Sequence, residues 1–202
     1  MAIDTNVDDP IELPADFADH LAAVGNLETT PGTLAAYWAQ FADHLAASDQ
    51  TIEAADMYTE EPTRHEVHVD GHVHYSPCVV DALTAAELEG HTPVTVRSVD
   101  PVTRTPVTFT VGDEAMDISP ADAVISFGVA PSIPALESTD ESIFSWMFQA
   151  DASSVSAAFC QYINAFESRD TYDQWRADTT GKTVLVQPQT VRAFVQQYVD
   201  LD

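Results

Sequence analysis

The chain has 202 residues, is 45% hydrophobic, and carries 33 acidic against 7 basic side chains, a formal charge of -26. That length and apolar content support a folded core and exclude an intrinsically disordered chain. The charge argues against nucleic acid and anionic membrane surfaces as partners, and no apolar run approaches the roughly 18 residues of a membrane span.

The carboxylates are spread along the whole chain, and lysine occurs once, at Lys182. This composition resembles that of proteins from salt-accumulating halophiles, haloarchaea included. The charge therefore speaks to the solvent rather than to a cationic ligand. Met1 to Pro14 is acidic and lacks the charged-then-apolar pattern of a secretory signal, so a cytoplasmic location is expected. There the two cysteines, Cys78 and Cys160, are expected as free thiols, with a disulfide as the alternative.

Residues 1–12 read as a disordered acidic leader. Leu13 to Val24 has Phe17, Leu21 and Val24 at helical spacing, and Thr30-Pro31-Gly32 ends that segment. A second helix is expected over Thr33 to Ala47, with Leu34, Tyr37, Trp38, Phe41 and Leu45 on one face. Phe-Ala-Asp-His-Leu-Ala-Ala occurs at both 17–23 and 41–47, which places His20 and His44 equivalently on two packing helices. The first basic residue of the chain is Arg64, so this helical part is not expected to bind DNA. Ile52 to Tyr58 reads as a third short helix.

Glu66 to Tyr75 alternates around Asp70-Gly71, a strong hairpin signal. His65, His68, His72 and His74 cluster there. His72 and His74 share a strand face and form a candidate zinc pair, but no third ligand stands at a recognisable spacing. Strands are expected at Pro93–Val99, Pro106–Val111 and Ala123–Val129 as an antiparallel meander. Residues 130–153 read as a long irregular insertion. Its Phe144-Ser145-Trp146-Met147-Phe148 cluster reads as a satellite core, with a lid over a pocket as the alternative. A helix over Ser154 to Glu167 would carry Val155, Phe159, Ile163 and Phe166 on one face and contain Cys160. A helical segment at Tyr172–Ala177, a strand at Thr183–Val186 and a closing helix at Gln189–Tyr198 complete an α+β pattern.

The stretch Ser76-Pro77-Cys78-Val79-Val80-Asp81 reads as a helix start, with Ser76 as N-cap, Pro77 in the first helical position and Gly90 as the stop. Cys78 then lies in the first turn, where unpaired N–H groups and the helix dipole favour a thiolate. Asp81, three residues on, shares its helix face. Two thiols on two separate helices, with a carboxylate beside one, make a soft-metal pair with a proton acceptor.

Tyr75-Ser76-Pro77-Cys78-Val79-Val80-Asp81-Ala82-Leu83, Phe159-Cys160-Gln161-Tyr162-Ile163-Asn164-Ala165-Phe166 and the trailing Trp175 resemble the organomercurial lyase (alkylmercury lyase) family over about residues 66–200. The chain departs from that pattern in three ways. Pro77 stands where an aromatic residue is common, Val99 lies near the place of a further cysteine, and the 130–153 insertion is longer.

The resemblance implies a small antiparallel or mixed sheet flanked by helices. It divides the chain into a leader (1–12), an N-terminal helical segment (13–64) like a reduced winged helix, and a catalytic domain (65–202). It implies a lyase in which Cys78 and Cys160 hold mercury transiently and Asp81 carries a thiol proton to the carbon leaving group. The products are a hydrocarbon and Hg(II) bound by two thiolates. The partners implied are an organomercurial substrate and low-molecular-weight or protein thiols that accept Hg(II), with no organic cofactor. A non-catalytic mercury or copper binding protein on the same fold is the alternative.

Overall fold

The period-two alternation between residues 65 and 111 builds the larger of two antiparallel sheets. The computed structural model describes residues 11–48, 51–89, 93–137 and 139–199, so most of the expected leader and the expected stop at Gly90 lie outside the described residues. Strands β1 (His65–Val69) and β2 (His72–Ser76) form the hairpin expected from Asp70-Gly71, and both turn residues adopt positive φ (51° and 78°). β3 (Val94–Val99), β4 (Pro106–Val111) and β5 (Met116–Ser119) follow, in the spatial order β2-β1-β3-β4-β5. Val67, Val96 and Phe109 are cross-strand neighbours and fully buried. β5 escapes sequence reading because its alternation is only half-buried to exposed.

The expected meander is corrected at its third member. β6 (Val124–Val129) leaves the first sheet and forms the centre of a second, antiparallel one with β7 (Ala165–Phe166) and β8 (Lys182–Val186), in the order β7-β6-β8. Every residue of β6 is buried, as expected of a strand covered on both faces.

Seven α-helices surround the sheets among the described residues: α1 (Ala15–Gly25), α2 (Leu34–Ala47), α3 (Val79–Leu88), α4 (Ile143–Met147), α5 (Ala152–Ala158), α6 (Arg169–Asp178) and α7 (Pro188–Val199). Thr33 caps α2, its Oγ1 accepting the Ala36 N–H at 3.0 Å. The expected helix at 52–58 is only a 3-10 turn over Ala54–Met57. The 130–153 insertion is less irregular than expected. It carries α4 and the start of α5, and Asn26, in the left-handed region at the end of α1, donates to the carbonyls of Leu136, Thr139 and Glu141.

One apolar cluster runs from Leu13 to Tyr198 and joins the N-terminal helices to both sheets. Trp38 of α2 stacks on Phe194 and Tyr198 of α7, and Phe17 of α1 meets Phe127 of β6 edge-on. Full burial of such side chains contributes about 1.5–3 kcal/mol each. α3 packs on β1, β3 and α7, which brings its N-terminus to the place where α2, α7 and the 158–163 segment converge.

Candidate active site

The first thiol sits at a strand-to-helix junction. β2 continues through Ser76, which is buried and paired with His65, so Ser76 is not the helix cap. Pro77 turns the chain and Cys78 itself is the N-cap of α3, its Sγ accepting the Asp81 N–H at 3.4 Å. Cys78 is therefore a side-chain N-cap in which a thiol takes the place of the usual hydroxyl. The Cys78 backbone N–H also acts on the Asp81 carboxylate and holds its pKa down.

The second thiol also lies outside the helix expected for it. α5 ends at Ala158, and Cys160 opens a 3-10 turn over Cys160–Tyr162. The helical spacing of Val155, Phe159 and Ile163 persists because the turn keeps the same side buried, but Phe166 has already entered β7. β6 holds this turn through a buried hydroxyl. Ser126 Oγ donates to the Tyr162 carbonyl at 2.8 Å and accepts the Asn164 N–H at 2.9 Å.

These junctions bring Cys78, Asp81 and Cys160 together. No two of their ligand atoms are more than 4.8 Å apart. Both thiols are free and buried, and Cys160 Sγ donates to Asp81 Oδ2 at 3.7 Å. His72 and His74 do not join a comparable group. Their rings are 6.5 Å apart and His74 stacks on Tyr58 at 4.4 Å, and among the described residues the one cluster able to hold an ion is the thiol-carboxylate group. His20 Nε2 meets the Ala130 carbonyl at 2.8 Å, while His44 stacks on Phe148, so the repeated heptapeptide brings no histidine pair together.

The three groups lie in the wall of a cavity of about 520 Å³ that is otherwise largely apolar and rich in aromatic rings, with Trp38, Phe41, Phe127, Phe148, Phe159 and Tyr198 among its lining. Phe148 lines this cavity, whereas Phe144 and Trp146 are buried in the main core, so the aromatic cluster of the insertion is part of that core rather than a satellite one and lends a ring to the cavity wall. Sequence reading missed the wall residues because their helical spacing marks them only as core. Tyr198 brings a polar atom to this wall together with Thr84. Its hydroxyl pairs with Thr84 Oγ1 at 2.6 Å and senses the charges of Asp81 and Cys78.

Burial sets the protonation states. It pushes the Asp81 carboxyl up to about 6, against hydrogen bonds from both thiols and the Cys78 N–H that hold it down. Burial, then the hydrogen bond with Cys160 and the Asp81 charge, raise the Cys78 thiol well above its ordinary value. The expectation that the helix start would favour a thiolate is thus corrected. The Asp81 N–H does favour the thiolate, but desolvation outweighs it. The resting arrangement is a protonated Cys78 thiol beside a carboxylate that accepts a hydrogen bond from Cys160 Sγ.

Residues 58–139 match the family model of MerB, alkylmercury lyase. The match takes in Cys78 and Asp81 and stops short of Cys160. An alkylmercury lyase of Streptomyces lividans is 32% identical over 128 residues, covering 63% of this chain, and the chain spans about half the length of that relative. A solved structure described as the mercury-bound form of MerB2 shares the fold, with a TM-score of 0.50 at 16% identity, covering 94% of this chain and 92% of the other. The architecture is α+β, as expected. No described helix is long and apolar enough to cross a membrane.

Proposed function

We infer that the protein is an organomercurial lyase that cleaves carbon–mercury bonds by protonolysis. The observation that carries this reading is a pair of thiols and a carboxylate, all within 4.8 Å, in the wall of an aromatic cavity. Two metal–sulfur bonds of about 2.3 Å span about 4.6 Å when nearly linear, so the two sulfurs suit a two-coordinate soft ion. The likeness of residues 58–139 to alkylmercury lyases supports the same assignment.

The organic group of R–Hg⁺ lies against the aromatic wall. Cys78 and Cys160 bond the mercury in turn and each gives up its proton. Asp81, which already accepts from Cys160 Sγ and interacts with Cys78, takes one of these protons, and the other passes to solvent. With its carboxyl pushed up to about 6, it holds a proton better than an ordinary carboxylate and releases it far more readily than a thiol. It delivers that proton to the mercury-bound carbon as the carbon–mercury bond breaks. The hydrocarbon R–H leaves, and Hg(II) remains between two thiolates until other thiols remove it. The step needs no organic cofactor. A soft-metal carrier would use the same thiols but would have no use for a proton-transferring carboxylate.

Phenylmercury incubated with the protein and excess thiol tests this directly. Benzene should accumulate in the headspace over many turnovers. Mercury capture without benzene would leave only a binding protein.

A further inference from the structure

Cys160 faces two cavities. Beyond the aromatic one lies a more open cleft of about 770 Å³, and the two share only Pro77 and Cys160 among their lining residues. Cys78 and Asp81 line the aromatic side alone. The second cleft is polar, with Arg64, Arg104, Gln161, Asn164 and Trp175 around Cys160. Given mercury held between Cys78 and Cys160, as inferred above, we propose that this cleft admits a small carboxylate-bearing thiol, which removes Hg(II) from the Cys160 side while Arg64 and Arg104 hold its carboxylates.

The chain has only 7 basic residues. Arg64 and Arg104, like Arg169 and Arg176, form no ion pair among the described residues, and of these four they are the two that share a cleft with Cys160. Arg97, Lys182 and Arg192 pair with Glu66, Asp16 and Glu87. Arg64 and Arg104 instead share one cleft, close enough for their charges to oppose each other. Asp100 also acts on Arg64, but its oxygens already accept the N–H groups of Val102, Thr103 and Glu167 at 2.7, 3.2 and 2.9 Å. Arg104 is fixed by the same turn, at φ 67° with its N–H on the Asp100 carbonyl at 3.0 Å. Two guanidiniums presented together fit carboxylates, with which arginine forms directed, often bidentate pairs. Such contacts survive salt that would screen long-range attraction.

The exchange is a substitution at mercury without redox change. The incoming thiolate sulfur bonds Hg(II), the mercury–Cys160 bond breaks, and its electron pair returns to Cys160 Sγ. A proton from the incoming thiol or solvent restores the Cys160 thiol. A second thiol displaces Cys78 in the same way, and the bis-thiolate complex leaves through the polar cleft.

The protein is loaded with one equivalent of HgCl₂ and mixed with mercaptosuccinate or with uncharged 2-mercaptoethanol. Loss of the mercury–thiolate absorbance is followed by stopped flow. In the Arg64→Gln/Arg104→Gln variant, removal by mercaptosuccinate should slow about tenfold or more, the worth of a charged hydrogen-bonding contact. Removal by 2-mercaptoethanol should not change, and the double Arg→Lys variant, which keeps the charge but not the fork, should keep only part of the preference. Circular dichroism checks folding, and Arg104→Gln alone serves if the double variant does not fold. An unchanged mercaptosuccinate rate, or equal slowing of both thiols, overturns the proposal while leaving the lyase reading intact. A parent protein that holds no Hg(II) overturns both.

Discussion

The Sγ of Cys160 lies 3.7 Å from Oδ2 of Asp81, a residue 79 positions earlier, and donates to it. The Cys78 thiol and backbone N–H also hold the pKa of this carboxylate down. Asp81 therefore interacts with both sulfurs rather than with one alone. A carboxylate that merely capped α3 would need only the Cys78 contacts.

Replacing Asp81 by Asn should separate capture from cleavage. Both thiols remain, so Hg(II) affinity is retained, while benzene release from phenylmercury should fall by about 10²–10⁴-fold, the usual contribution of an acid–base group. In the parent, turnover should also decline as pH falls through about 6, where the Asp81 carboxyl becomes protonated before substrate arrives. Cys78→Ser and Cys160→Ser should each lose tight mercury binding together with turnover. Full turnover in Asp81→Asn would remove Asp81 from the mechanism.

The same variant has a stability signature of definite sign. The folded-state pKa of Asp81 is raised from 3.8 to about 6, so the folded protein binds this proton more tightly than the unfolded chain does. Its contribution is most favourable below pH 3.8 and is lost as pH rises through 6. Above that the ionised, desolvated carboxylate is a penalty on the order of 2–3 kcal/mol. Asp81→Asn should thus be more stable than the parent at pH 8 and close to it near pH 4. Denaturant melts of both proteins at the two pH values give the comparison, and a variant less stable at pH 8 contradicts it.

The surface charge gives a third expectation. With 33 carboxylates and 7 basic residues, self-repulsion destabilises the compact state until salt screens it. The Debye length falls from about 10 Å at 0.1 M to about 3 Å at 1 M. The melting temperature should rise by about 5 °C or more across that range of KCl, the equivalent of a gain of one to two kcal/mol. A flat response would show that the acidic surface does not limit stability.

Much of this architecture was legible in the sequence, and its failures share one cause. The hairpin at Asp70-Gly71 and the faces of α2 and α7 follow from local period and turn chemistry. The segments carrying the two thiols do not. Ser76-Pro77 satisfies the rules for a helix start, yet tertiary pairing with His65 keeps Ser76 in β2 and passes the cap to Cys78. The apolar spacing from Val155 to Phe166 fits a helix, yet Ser126 draws residues 162 and 164 onto β6 and breaks it after Ala158. Both thiols sit where long-range hydrogen bonds override local preference. The motif residues were readable, but the junctions that aim them, and the aromatic wall contributed by α2 and α7, were not.

His65 should govern part of the acid limb. It is buried with Nδ1 2.9 Å from Ser98 Oγ, and burial together with the Arg64 charge lowers its pKa from 6.5 to about 3. The unfolded chain therefore takes up a proton that the folded protein refuses. The stability contribution is intact above pH 6.5 and falls by about 1.4 kcal/mol per pH unit on going below it, until about pH 3. His65→Asn, which keeps a polar group near Ser98, should be less stable than the parent at pH 8 and lose less on acidification to pH 4.5. Parallel stability curves for the two proteins would exclude His65 as a contributor.

The last expectation concerns how Cys160 is held. Gly181, just before β8, lies against the Tyr162 ring, and a Cβ built there would collide with Cδ1 and Cε1 of that ring and approach the Val129 carbonyl at 2.8 Å. Tyr162 is the final residue of the turn that begins at Cys160. Its backbone is tied to Ser126, so the ring and the turn must move together or β8 must shift. Gly181→Ala should therefore destabilise the fold by about 1–3 kcal/mol, the usual range for overpacking. It should also loosen the pairing of Cys160 with Asp81 at a distance from both. Reactivity with a thiol reagent separates this effect from plain destabilisation. At a temperature where the variant is fully folded by circular dichroism, Cys160 should label faster than in the parent, while Cys78, held as the N-cap of α3 by the Asp81 N–H, should label at the parent rate. Equal acceleration at both cysteines would instead indicate global loosening, and no acceleration at either would show that Tyr162 does not position the thiol.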